Sequence, residues 1–108
     1  MAKVYGYCRC STNEKKQDIN RQIRELKELG ATDTTIYKEY ISGASTKKPE
    51  WEKLLQAIQE GDTIVVTEVS RISRSTKQLC GVIELIQQRK LKLVIKNSVT
   101  IDCTGGTL

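Results

Sequence analysis

The chain has 108 residues, 38% hydrophobic and 29% charged, which fits one modest domain and excludes disordered, collagen-like and coiled-coil classes. Lysine and arginine number 18 against 13 aspartates and glutamates, a net charge of +5 that suits a polyanionic partner. Histidine is absent, which removes a Ser-His-Asp triad, a histidine base and a histidine-bound zinc. Residues 3–10 read as a strand, because Val4, Tyr5, Tyr7 and Cys8 favour extended backbone. A helix follows over about 16–29, with Ile19, Ile23, Leu26 and Leu29 stepping by four and three, and Gly30 as its stop. Residues 36–41 make a second strand. Ser42-Gly43-Ala44-Ser45-Thr46-Lys47-Lys48 is a small polar loop. Pro49 then opens a helix at the position where proline is tolerated, with Trp51, Leu54, Leu55 and Ile58 inward and a stop at Gly61. Residues 63–69 form a third strand whose continuous apolar centre, Ile64-Val65-Val66, suits burial on both faces. After the turn 70–76 comes a third helix with Leu79, Val82, Ile83 and Ile86 inward. Residues 91–95 are the fourth strand, and 96–108 read as irregular.

This alternation predicts an α/β fold: a mainly parallel sheet of four to five strands, flanked by helices through right-handed crossovers. Residues 1–108 form one domain, without repeats or an interdomain linker. No apolar run approaches the ~18 residues of a membrane span, and the start has no signal-peptide core, so a cytoplasmic chain is expected. The four cysteines, Cys8, Cys10, Cys80 and Cys103, lack a CxxC pair and a secretory context and are expected to be buried structural thiols.

In parallel sheets ligands meet the carboxyl ends of the strands, which selects three segments: 9–12, 42–48 and 70–76. Tyr7, Arg9 and Ser11 alternate, so they share a face, with Ser11 at the strand end and a guanidinium beneath it. A plainer reading makes Ser11 a helix cap, because Ser11-x-x-Glu14 fits a capping box. Arg71 and Arg74, three apart, are side by side on a helical turn, where two guanidiniums repel unless an anion lies between them. Solvated arginines at a helix start are the plain alternative, at the end of the dipole that disfavours cations. Ser73 and Ser75 fit caps or phosphate contacts. Together these segments give a hydroxyl nucleophile ringed by arginines, with no two-metal carboxylate pattern and no GxxxxGK or GxGxxG loop. Metal-free phosphoryl transfer through serine is a coherent chemistry for such a set, with arginines stabilising the developing charge.

Tyr5-Gly6-Tyr7-Cys8-Arg9-Cys10-Ser11-Thr12 resembles the opening motif of the serine recombinases, the resolvases and DNA invertases. The likeness extends through Arg21-Gln22-Ile23-Arg24-Glu25-Leu26, Ser42-Gly43-Ala44-Ser45 and Ser70-Arg71-Ile72-Ser73-Arg74, in the family's order and spacing. It implies that Ser11 attacks a DNA phosphate to form a 5′-phosphoserine link and free a 3′-hydroxyl, with no cofactor and no metal. It further implies that Arg9, Arg71 and Arg74 bind phosphate, and that Tyr7, Gln22 and Ser42 support the site. Two positions depart from the pattern. Ser70 stands where the family usually has an aspartate, a proposed proton carrier, and Lys48 stands in place of an arginine, keeping the charge without the fork. Glu68 would replace the aspartate only if its side chain shares the face. The resemblance also implies DNA as partner, a homodimer, and a tetramer in the synaptic complex of the full-length protein. Family members continue into a dimerisation helix and a DNA-binding domain, so 1–108 is expected to be a catalytic domain truncated before them. Two alternatives are a non-catalytic DNA-associated or dimerisation module of the same fold, and a small α/β module that binds a phosphorylated ligand.

Overall fold

A computed structural model describes residues 3–11, 16–41, 49–68, 72, 75–96 and 98–103 of the chain. Strand β1 (Val4–Ser11) leads into helix α1 (Lys16–Glu28) and strand β2 (Ile36–Ile41). Helix α2 (Pro49–Ala57), strand β3 (Thr63–Val66), helix α3 (Thr76–Gln88), strand β4 (Lys92–Ile95) and strand β5 (Thr100–Asp102) follow. The five strands form one sheet in the order β2-β1-β3-β4-β5, parallel except for β5.

The strand order fixes which face each helix covers. From β1 the chain steps one way to β2, then reverses across β1 to β3 and continues to β4. With right-handed crossovers the first connection must cover one face and the next two the other. Accordingly Ile19 and Leu26 of α1 pack with Cys8, Ile36 and Val65. Leu54 of α2 and Ile86 of α3 pack with Tyr5, Tyr7, Ile64 and Val66 on the opposite side. Ile64, Val65 and Val66 are all buried, as the unbroken apolar run requires of a strand covered on both faces.

Glycine matters most at Gly6. A side chain there would bring a Cβ to 3.2 Å from Ala31, Ile36 and Leu26 at once, so α1 lies directly on the backbone of β1. Gly30 ends α1 with φ +110, a conformation without a Cβ penalty only for glycine. At the other end of the sheet, Asp62 accepts from the Lys3 and Gln59 amides at 2.9 Å each, joining the approach to β1 with the approach to β3. Arg89 closes α2 from the end of α3, donating to the Leu55 and Ile58 carbonyls at 2.7 and 3.0 Å.

Three expectations change. Residues 96–108 are not wholly irregular, since Thr100–Asp102 returns antiparallel beside β4. Strand β3 stops at Val66 rather than running to residue 69. Of the cysteines, Cys8 is buried, but Cys80 is exposed on α3 and Cys103 is half-buried, so only the first is a core thiol among those described. Among the described residues no helix is long and apolar enough to cross a membrane.

Candidate active site

The sheet reverses direction between β1 and β3. Connections from these strands leave to opposite faces, which opens a crevice at their carboxyl ends. The pairing along β1 changes with its length. β1 and β3 pair from Val4–Thr63 to Gly6–Val65, whereas β1 and β2 pair from Gly6–Ile36 on to Ser11–Ile41. The carboxyl half of β1 is thus held by β2 and borders the crevice on its other side.

Ser11 is the last residue of β1 and pairs with Ile41. Residues 12–15, which include Glu14 of the capping-box reading, lie outside the described residues. Arg9 is two residues before Ser11, roughly 7 Å along the strand, and is only 6% exposed. A guanidinium so buried needs anionic company. Its register partner on β2 is Glu39, itself 2% exposed.

Glu39 gathers donors from two other elements. Its Oε1 accepts from the Tyr7 hydroxyl at 3.3 Å and from the Glu50 and Trp51 amides at 3.1 and 3.3 Å. These are first-turn amides of α2, which have no partner within the helix. The Tyr7 ring is fully buried and meets the Trp51 ring edge-on, with centroids 5.1 Å apart. Burial, followed by the Glu39 charge, pushes the Tyr7 hydroxyl well above the usual tyrosine value, against an opposing pull from Arg9. Tyr7 is therefore a protonated donor over the whole working range of pH.

From the opposite face, buried Gln22 of α1 donates its side-chain amide to the Arg9 carbonyl at 3.5 Å. Across the crevice, Thr67 follows the end of β3. Its hydroxyl oxygen is buried and has no hydrogen-bond partner among the described residues. Glu68, next in the chain, is exposed.

The structure thus brings together Tyr7, Arg9, Gln22 and the backbone position of Ser11. Ser42, Lys48, Ser70, Arg71 and Arg74 lie outside the described residues. The chain enters the first of these segments from Ile41, beside Ser11, and leaves it at Pro49. Ile72, between Arg71 and Ser73, is buried in the core on the α2–α3 face. Ser75 caps α3, accepting from the Gln78 amide at 3.2 Å, as one of its two readings required. Among the described residues no group of histidine, cysteine, aspartate and glutamate is placed to hold a metal ion.

The sequence reading missed Glu39 and Thr67. For Glu39 a signal existed: Tyr37, Glu39 and Ile41 alternate on β2 as Tyr7, Arg9 and Ser11 do on β1. Only the register says that the two rows are neighbours.

Comparison with known proteins places the chain in a family. The family described as "Resolvase, N terminal domain" matches residues 4–107. A resolvase of Clostridium perfringens (strain 13 / Type A) is 37% identical over 102 residues, covering 94% of this chain and 53% of its own length. The transposon Tn1546 resolvase of Enterococcus faecium is 39% identical over 102 residues, with 94% and 51% covered. The serine recombinase gin of Escherichia phage Mu is 32% identical over 86 residues, with 80% and 42% covered. The chain spans about half the length of the curated relatives it matches.

Proposed function

The chain belongs to the resolvase family of serine recombinases, and from that premise we propose that it cuts and rejoins DNA at specific sites through a covalent bond from Ser11 to phosphate. The Ser11 oxygen attacks the phosphorus as the bond to the 3′-oxygen breaks. The serine proton is lost, and the leaving oxygen takes up a proton to become a 3′-hydroxyl. The 5′-phosphate stays on serine until another 3′-hydroxyl reverses the exchange. The number of phosphoester bonds is unchanged, so no external energy source is needed. Arg9, Arg71 and Arg74 hold the non-bridging oxygens and stabilise charge that grows in the transition state. Tyr7, Gln22, Ser42 and Lys48 position the phosphate and the strand that carries Ser11.

The observation that supports this most is the burial of Arg9 at the carboxyl end of β1, two residues before Ser11, at the sheet's switch point. A buried guanidinium two residues from a strand's carboxyl end suits an anionic substrate, and a phosphodiester is one. On this reading the chain is the catalytic domain of a longer cytoplasmic protein. That protein acts on DNA as a dimer at each site and a tetramer when two sites meet. Ser70 and Lys48 favour one rival, a non-catalytic relative that keeps the fold.

The test is a covalent adduct. Duplexes selected for binding from a random pool are nicked so that a cleaved strand cannot rejoin, then incubated with the protein as encoded in full. A protein–DNA adduct that survives denaturation and disappears with Ser11→Ala is the expected result. An adduct that persists in that variant rules Ser11 out. Binding and pairing of subunits without any adduct establishes the rival.

A further inference from the structure

The two flanks of α1 carry different charge. Toward β4, Lys96 lies 3.0 Å from Glu25 and 3.8 Å from Glu28, and Arg21 lies 3.6 Å from Glu25. Two cations there face two acids. Toward β2, Lys27 pairs with Asp33 at 2.7 Å, in the turn that leads into that strand. The Lys27 hydrogen bond and charge, and last the charge of Lys38 on β2, hold the Asp33 carboxyl below its ordinary value, so Lys38 also lies near it. Arg24 is exposed and three residues before Lys27, which puts a third cation one turn up the same side of the helix. Three cations thus surround one acid. Among the described residues neither Arg24 nor Lys38 forms an ion pair.

This excess runs toward the end of β1. Lys38 and Tyr40 alternate on β2, so they share a face of an edge strand. Tyr40 is 58% exposed, and its register partner is Cys10, one pair before Ser11–Ile41. A lysine on a sheet edge also deters other strands, but that task needs no exposed tyrosine beside it. Tyr40 stands about 5 Å across from β1. Phosphates of one DNA strand succeed one another every ~3.4 Å along the helix axis. A backbone with one phosphate at Ser11 therefore carries its next phosphates over β2 if it runs that way, and the net positive flank favours that course. Ammonium, guanidinium and phenol groups all bind phosphate oxygens. We propose that the β2 edge is a track for the DNA backbone, on which Lys38 and Tyr40, with Arg24 behind them, bind phosphates next to the one attacked. This rests on the reading of Ser11 as nucleophile. Such contacts position the duplex and carry no sequence choice.

The test measures DNA affinity against salt concentration for the protein as encoded in full, beside Lys38→Ala, Tyr40→Phe and a control, Lys3→Ala. Lys3 is exposed just before β1, at the opposite end of that strand from Ser11, so the control removes the same charge far from the track. Lys38→Ala should flatten the log–log salt slope by about 1, the mark of one lost phosphate contact. Tyr40→Phe keeps the ring and loses an uncharged donor, so it should weaken binding about two- to tenfold without changing the slope. Uncharged methylphosphonates are then set singly at the positions flanking the cleaved phosphate. At one of them the substitution should weaken wild type and leave Lys38→Ala unaffected. The proposal is overturned by a Lys38→Ala slope equal to wild type, by an equal loss in Lys3→Ala, or by a Tyr40→Phe affinity equal to wild type. It is overturned as well if every methylphosphonate weakens Lys38→Ala as it does wild type. Sedimentation in which Lys38→Ala loses subunit association while keeping its salt slope makes the face an interface between copies, and the proposal fails. Any of these results with a Ser11-dependent adduct intact strikes the track alone. If wild type forms no adduct, or Ser11→Ala still does, the reading beneath has failed and the proposal falls with it.

Discussion

Strand β1 is one element with two halves held by different forces, and the change comes at Gly6. Before it, Val4 and Tyr5 pair with β3, and the buried neighbours of Tyr5 on its face are apolar, among them Ile64, Leu54 and Ile58. After it, Tyr7, Arg9 and Ser11 pair with β2 alone, and a buried guanidinium stands in register with a buried carboxylate. The first half gains stability from area removed from water. In the second the Arg9–Glu39 pair gains little, because desolvating two charges offsets most of their attraction. What the second half gains is a fixed charge pattern beneath a strand end. Stability and chemistry are thus separated along eight residues of one strand.

That separation can be broken from either side. Arg9→Ala, on the polar side, should lower the rate of adduct formation about 100- to 1,000-fold, the range seen when one transition-state donor is lost. If the folded variant cleaves normally, the polar half is not the chemical half. On the apolar side, Ile64→Ala should cost about 2–5 kcal/mol in urea melts, from lost transfer energy plus the cavity left. Under conditions where it is still folded, its cleavage rate at saturating DNA should match wild type. A matching loss of rate would show that the two halves are coupled.

At the junction, Gly6→Ala sets a methyl at 3.2 Å from three neighbours, and should cost about 1–3 kcal/mol by overpacking. It moves α1, whose Gln22 binds the Arg9 carbonyl, so it should be the one core change that lowers both stability and rate. The smallest effect belongs to Tyr7→Phe, which keeps the ring against Trp51 and removes about 1 kcal/mol of hydrogen bonding. Its mark is in the pH dependence. In the folded chain Tyr7 ionises well above its unfolded value near 10, so the contribution is complete below that value. It is lost as pH rises from there through the folded value. Wild-type stability should therefore fall more steeply above pH 10 than that of Tyr7→Phe, and equal slopes would place the hydroxyl in water.

Much of this was legible in the sequence. The order of helices and the first four strands follows from periodicity and from Gly30, Pro49 and Gly61, since each of those signals is local. The shared face of Tyr7, Arg9 and Ser11 follows from the two-residue repeat of a strand. Glu39 was not legible, because nothing local distinguishes a buried acid in Tyr37-Lys38-Glu39-Tyr40 from an exposed one. Its meaning comes from the register with β1. Strand β5 was missed because three residues, Thr100-Ile101-Asp102, are too few to establish an alternation. Strand β1 extends one pair further, to Ser11 and Ile41, than the apolar run suggested.

The handover at Gly6 also has a direction in time. A chain made from its amino end has β1, α1 and β2 in hand before β3 exists, so the Tyr7–Glu39 side can assemble first from near neighbours in sequence. The Val4–Gly6 edge of β1 must wait for a strand synthesised only after α2. Through that interval it presents unpaired backbone to any other nascent chain nearby. The strand that ends the exposure, Thr63–Val66, is only four residues long.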